Sequence, residues 1–211
     1  MKKKLLTSEM MELKTNITKE ELADYPKEEF SGKIYVIQTE SDADKAVAYL
    51  KTQPIVGFDT ETRPAFVKGK TNQVALMQLS TDTQCFLFRL NVIGIPDSLV
   101  EFLKDPSVKK IGLSLKDDFR SLNKKKTVEL ANFVELQTYV KSFGIEDNSL
   151  MKIYAIIFGK RISKAQRLTN WEADLLTERQ QKYAALDAWA SREIYIKLES
   201  MQKDVNDKIE E

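Results

Sequence analysis

The apolar run Pro54-Ile55-Val56-Gly57-Phe58 opens directly onto Asp59-Thr60-Glu61. A short apolar run of this kind suits a buried strand, and the acids at its end mark where the strand emerges into a site. Side chains at i and i+2 of a strand share a face, so Asp59 and Glu61 converge. Two converging carboxylates repel unless a cation joins them. Hard divalent cations such as Mg²⁺ take oxygen ligands of this kind. Surface strands also carry alternating acids, so the pair points to a site only together with two later features, Asp118 and the segment Tyr183 to Asp187.

The rest of the composition narrows the chemistry. The chain has no histidine, which removes the commonest general base, the imidazole-dependent triads and most zinc sites. Its one cysteine, Cys85, sits in the apolar run Cys85-Phe86-Leu87-Phe88 and is expected to be a buried core thiol. Catalysis must then rest on carboxylates, Tyr, Lys or Arg. A formal net charge of +1 gives no global basic field, so a polyanion would need a local patch or metal ions. Met1-Lys2-Lys3-Lys4 imitates the start of a signal peptide, but polar Thr7, Ser8 and Glu9 follow at once. With no long apolar stretch, the expected location is cytoplasmic and no membrane partner is expected.

The 211 residues fit one sizeable domain with a short appendage. Residues 1–30 read as an N-terminal helical extension, with Thr18 and Glu21 spaced as a capping box. Residues 31–200 form the main domain, and 201–211 a charged C-terminal tail. Ile34 to Ile37 reads as a strand. Ser41 is placed to cap a helix through Leu50 whose inner face is Ala43, Ala46, Val47 and Leu50. The Asp59 strand follows, then a polar loop over 63–72. Val74 to Leu79 and Cys85 to Phe88 read as a hairpin around Thr81-Asp82-Thr83. Pro96 opens a helix near Leu103, and Val108 to Leu115 is the next strand. Helices are expected around 117–123, 136–143, 149–158 and 178–200. Early antiparallel strands followed by alternating strand and helix indicate an α/β domain with a mixed sheet flanked by helices.

Two later features meet the first. Asp117-Asp118 follows the 108–115 strand, at the carboxyl edge of a sheet, where α/β enzymes place ligands. Asp117 is the expected helix cap, leaving Asp118 to project into the cleft. Thr177-Glu178-Arg179-Gln180 starts the last helix as a capping box. Tyr183 and Asp187 lie four residues apart on one face of it, and Ala184 and Ala185 allow close approach to the sheet. A buried Asp near Asp59 and Glu61 would be costly without a metal.

Phe58-Asp59-Thr60-Glu61, the stretch Gly112 to Leu122 containing Asp118, and Tyr183-Ala184-Ala185-Leu186-Asp187-Ala188 together resemble the DEDDy family of 3′–5′ exonucleases. Ribonuclease D and the Werner helicase exonuclease domain show the same three motifs in this order. Supporting stretches are Gly69-Lys70 before Val74 to Leu79, and Asn170-Trp171 before Leu176-Thr177. The resemblance covers about residues 34 to 198. It implies a ribonuclease H-like fold and two-metal hydrolysis of the 3′-terminal phosphodiester of DNA or RNA, releasing nucleoside 5′-monophosphates. It implies two Mg²⁺ or Mn²⁺ ions. Asp59, Glu61 and Asp187 would hold one, Asp59 would bridge to the second, and Asp118 would act there. Tyr183 would orient the attacking water.

The expected partner is the single-stranded 3′ end of a nucleic acid. Lys68 and Lys70, and Lys164 with Arg167, are candidates to line its path, and each group also reads as ordinary loop charge. Trp171 is a candidate to stack a base or to pack on the last helix. Phe119 is a candidate wedge beside the terminal nucleotide, and Thr60 and Gln78 are candidate supports. Ribonuclease D and the Werner protein carry further domains, so a protein partner supplying extra grip is a further expectation. The alternatives are a catalytically inactive nucleic-acid-binding adaptor on the same fold, and a metal-dependent phosphohydrolase of small nucleotides.

Overall fold

A computed structural model describes residues 13–66 and 72–210. In chain order its elements are α1 (Lys19–Asp24), β1 (Lys33–Ile37), α2 (Glu40–Leu50), β2 (Ile55–Thr62), β3 (Val74–Ser80) and β4 (Gln84–Phe88). Then come α3 (Leu90–Ile93), α4 (Asp97–Leu103), β5 (Lys109–Gly112), α5 (Leu115–Lys125), β6 (Phe133–Glu135) and α6 (Leu136–Tyr139). A 3₁₀ turn (Val140–Phe143), α7 (Leu150–Phe158) and the long α8 (Glu178–Glu210) complete the chain. The sheet order is β1-β4-β3-β2-β5-β6. β2, β3 and β4 form an antiparallel meander, and β5 and β6 extend it in parallel from β2.

Both faces of the sheet are covered. Leu76, Cys85 and Leu87 join Ile153, Ala184 and Ile194 in one core, beneath α7 and α8. Phe58, Met77, Leu79 and Phe88 join Ala46, Leu50, Phe102 and Leu122 in the other, beneath α2, α4 and α5. Adjacent residues of a strand point to opposite faces, so β3, covered on both, is buried along its whole length and reads as a continuous apolar run. Cys85 is free and fully buried.

The contact between β2 and α8 sets the spacing of the acids. A Cβ placed on Gly57 would lie 1.8 Å from the Ala188 carbonyl oxygen and 3.2 Å from the Arg192 Cβ. Only a residue without a side chain lets the helix backbone come this close to the strand. Ala184, Ala185 and Ala188 on the helix are fully buried, as their small size allows.

Several local expectations are corrected. Thr39, not Ser41, caps α2, its hydroxyl accepting from the Asp42 amide at 3.1 Å. β5 ends at Gly112 rather than running to Leu115, which is the first residue of α5. Asp117 caps nothing: it is exposed and pairs with Arg120 at 3.5 Å. Ser114 turns the chain instead, in the left-handed region at φ 63°. The Ser114 and Leu115 amides donate to the two carboxylate oxygens of Glu135, at 3.0 and 2.7 Å. A carboxylate on those first free amides satisfies them and suits the positive end of the helix. Glu135 ends β6, a strand of three residues that pairs in parallel with β5 and that the sequence pattern does not reveal. β1, on the far edge, pairs in parallel with β4.

Lys110 shows why β5 is hard to read. It is fully buried, its ammonium donating to the carbonyls of Asp105, Val108 and Ala131 at 2.6, 3.1 and 3.1 Å. Three acceptors match three donors, so a lysine acts as a staple in an otherwise apolar layer.

Candidate active site

Three elements meet at the end of β2. Asp59 and Glu61 leave the strand opposite Gln78 and Leu76 of β3, on the side covered by α8. Asp187 descends from α8, and one oxygen from each of Asp59, Glu61 and Asp187 lies within 4.8 Å of the others. Thr60, between the two acids, points the other way along the pleat. Its hydroxyl donates to the Asp118 carboxylate on α5, while its amide donates to Asp59 Oδ1 at 2.9 Å. Thr60 thus ties Asp118 to Asp59. The left-handed turn at Ser114, clamped by Glu135, sets the start of the helix that presents Asp118.

The electrostatics are severe. Glu61 and Asp187 are buried and Asp59 is only partly exposed. Burial first, and then the neighbouring acids, push Glu61 up to about 10, and Asp59 and Asp118 to about 8. Asp187 is raised by burial to about 7, held back by Tyr183 and Lys164. Burial and then Asp187 push the Tyr183 phenol far above its usual range, so it stays protonated and keeps an O–H available to donate. No salt bridge neutralises any of the four acids among the described residues.

These groups form the floor of a cavity of about 420 Å³. Leu113, Leu150, Met151 and Ile162 give it an apolar wall, and Lys164 and Arg167 a cationic lip. Asp59, Thr60, Glu61, Asp118, Tyr183 and Asp187 all line it. The wall from Leu150, Met151 and Ile162 was not read from sequence, because apolar residues on α7 and after it carry no sign of which ones face a cavity.

Three other candidates sit elsewhere. Trp171 is fully buried, its ring 6.0 Å from that of Tyr183. It offers no face to a base and instead backs Tyr183. Buried Arg89 holds its segment down, with a hydrogen bond to the Ala173 carbonyl and another to that of Asp174 at 3.3 Å. Gln78 is fully buried behind the floor, with neither amide atom paired, and does not reach the cavity. Phe119 packs edge-on against Phe133 at 5.0 Å, facing the α4–α5 core rather than the cavity. Lys68 and Lys70 lie outside the described residues.

A family model described as 3′–5′ exonuclease matches residues 34–203. The mouse bifunctional 3′–5′ exonuclease/ATP-dependent helicase WRN is 34% identical over 180 residues, covering 81% of this chain and 13% of that protein. The Drosophila melanogaster exonuclease 3′–5′ domain-containing protein 2 is 35% identical over 154 residues, covering 71% of this chain and 26% of its own. The chain thus spans only a minor part of both relatives. Among solved structures, Escherichia coli RNase D superposes with a TM-score of 0.73 at 22% identity, over 82% of this chain and 46% of that one. That likeness shows the fold, a ribonuclease H-like mixed sheet.

Proposed function

Since the chain belongs to the 3′–5′ exonuclease family, we propose that it shortens single-stranded DNA or RNA from the 3′ end by metal-dependent hydrolysis. The observation that carries this is the Asp59, Glu61 and Asp187 cluster, three acids with oxygens within 4.8 Å. Buried acids at this spacing repel unless cations join them. Hard, oxygen-seeking ions such as Mg²⁺ or Mn²⁺ fit this donor set.

Asp59, Glu61 and Asp187 would hold one ion, and Asp59 with Asp118 a second. Bound there, the pair supplies a lowered pKa for water and a clamp on the attacking and leaving oxygens. The remaining roles fall to the chain. Tyr183 donates a hydrogen bond that orients the water. Thr60 fixes the spacing of Asp59 and Asp118. Lys164 and Arg167 meet the phosphate, and the apolar wall takes the base or sugar. Water adds to phosphorus, the bond from phosphorus to the 3′ oxygen of the preceding nucleotide breaks, and that oxygen takes up a proton. A nucleoside 5′-monophosphate leaves, and the strand keeps a 3′-hydroxyl.

The raised carboxylates give a pH signature. Each binds a proton more tightly folded than unfolded, so its contribution to stability is full below the unfolded carboxylate pKa of about 4. It is lost as pH rises toward the folded values, about 7 for Asp187 and about 8 for Asp59 and Asp118. Metal-free protein should therefore lose stability over this range, and cations, which displace the protons, should restore it. We expect Mn²⁺ to raise the melting temperature more at about pH 8 than at about pH 6. An equal or smaller shift at the higher pH would contradict the assignment.

The direct test incubates the protein with 5′-labelled single-stranded DNA and RNA of matched sequence, in Mg²⁺, Mn²⁺ or EDTA. A ladder shortening from the 3′ end, abolished by EDTA, is the expected result, and the two arms report which sugar is preferred. Binding without shortening in any metal would favour a non-catalytic adaptor. Turnover of free nucleotides alone would point to a small-molecule phosphohydrolase.

A further inference from the structure

A second cavity, of about 320 Å³, lies beside the first, and Ser163 and Tyr183 line both. The segment 163–167 divides them. Lys164 and Arg167 line the carboxylate cavity, whereas Ala165 and Gln166 line the second.

The remaining lining comes from two places. The start of α8 supplies Arg179, Lys182 and Leu186. The other contribution is Lys27-Glu28-Glu29-Phe30, which precedes the stretch matched by the family model. That N-terminal segment is bound to the root of the divider. The Glu28 amide donates to the Arg161 carbonyl, and the Arg161 amide to the Pro26 carbonyl, both at 2.9 Å. The Glu28 carboxylate accepts from the Tyr154 hydroxyl at 2.8 Å and pairs with Lys160 at 2.9 Å. Its charge is therefore already balanced.

Phe30 and Leu186 make an apolar base to this cavity, and both are buried. Lys27 and Arg179 stand exposed at its rim, with no carboxylate paired to either among the described residues. Lys182 pairs with Glu178 at 2.7 Å, and Glu29 is the opposing charge at the rim. An apolar base under a cationic rim suits a nucleotide, whose flat ring packs below and whose phosphate meets the cations.

We propose that this second cavity seats a nucleotide of the substrate strand at least two positions upstream of the one being removed, with Lys27 and Arg179 at its phosphates. The inference rests on the exonuclease reading. Because Tyr183 walls both cavities, a strand whose end lies on the carboxylates passes over that ring into the second cavity. The N-terminal segment thereby builds a grip on the strand that the carboxylate cavity lacks.

The test compares the wild-type protein with the double variant Lys27→Ala/Arg179→Ala. Both side chains are exposed, so the core is untouched. For a long single strand we expect KM to rise about tenfold, with a shallower salt dependence, as two phosphate contacts are lost. The kcat should not change, and hydrolysis of a dinucleotide, too short to reach the second cavity, should be unaffected. An unchanged KM on the long strand overturns the proposal. So does an equal loss on the dinucleotide, which would place both cations at the carboxylate cavity. If the wild-type protein shortens no strand, the exonuclease reading fails by itself. Fluorescence anisotropy of a labelled strand, without divalent metal, then decides the cavity separately: equal Kd values for the two proteins overturn it.

Discussion

Asp59→Asn is expected to reduce strand shortening by about a thousandfold while making the metal-free protein more stable. The activity loss follows from position. Asp59 shares the cluster with Glu61 and Asp187 and is tied to Asp118 through Thr60, so it is the one acid able to serve both proposed ions. Loss of a bridging ligand removes several kcal/mol of transition-state stabilisation, and about 4 kcal/mol corresponds to that factor in rate. The gain in stability follows from charge. Asp59 is raised to about 8 by burial and by Asp187, which means that its charged form is unwelcome in the folded protein. Asparagine keeps the acceptor for the Thr60 amide and drops the charge. We expect a melting temperature at about pH 8 that is higher by about 2 °C or more in EDTA. In saturating Mn²⁺ the advantage should vanish or reverse. Wild-type turnover, or a variant less stable in EDTA, would refute the assignment. Activity and stability oppose each other here because the acids are gathered for a cation, not for the fold.

Gly57→Ala is expected to cost about 3 kcal/mol or more in stability and, in whatever remains folded, to weaken divalent-cation binding. The added methyl would lie 1.8 Å from a backbone oxygen of α8. Backbone in the middle of a packed helix cannot swing aside as a side-chain tip can, so α8 must lift or β2 must shift. Either movement separates Asp59 and Glu61 from Asp187. A useful comparison is Gly94→Ala, where nothing lies within 4 Å and only a backbone φ of +67° opposes the substitution. With ψ at −147° its backbone lies in a region essentially reserved for glycine, so the substitution should cost about 2 kcal/mol and leave cation binding unchanged. Urea unfolding and calorimetric titration with Mn²⁺ separate the two effects. Gly57→Ala with ordinary stability and ordinary cation affinity would mean that the strand–helix spacing does not set the site.

Elements whose signal is local were legible in the chain. Thr18 with Glu21, and Thr177 with Gln180, form capping boxes as their spacing implies. Ala43, Ala46, Val47 and Leu50 do face inward from α2. Elements that depend on a distant partner were not. β6 has three half-buried residues, too few to show a period, and exists because β5 offers it a paired edge. Lys110 reads as a surface residue until three loop carbonyls converge on it. Asp117 is the better cap by residue type, but Glu135 comes from another strand and takes the amides first. Trp171 carries the composition of a stacking residue, yet its burial behind Tyr183 depends on the hold of Arg89 on residues 173 and 174.

The sequence by itself determined which groups are available for chemistry, and where along the chain the acids lie. A chain without histidine, with acids at the end of a buried strand, at a strand-to-helix junction and on an alanine-lined helix, is confined to carboxylates, Tyr, Lys or Arg, and strand and helix periodicity pair Asp59 with Glu61 and Tyr183 with Asp187. Only the tertiary structure decided how far apart those acids stand, what clamps the turn before Asp118, and which apolar and cationic side chains surround them. Local periodicity is set by bonds between neighbours in sequence. The distances across the site are set by close packing between β2, α5 and α8, where one absent Cβ at Gly57 fixes how near the helix can come.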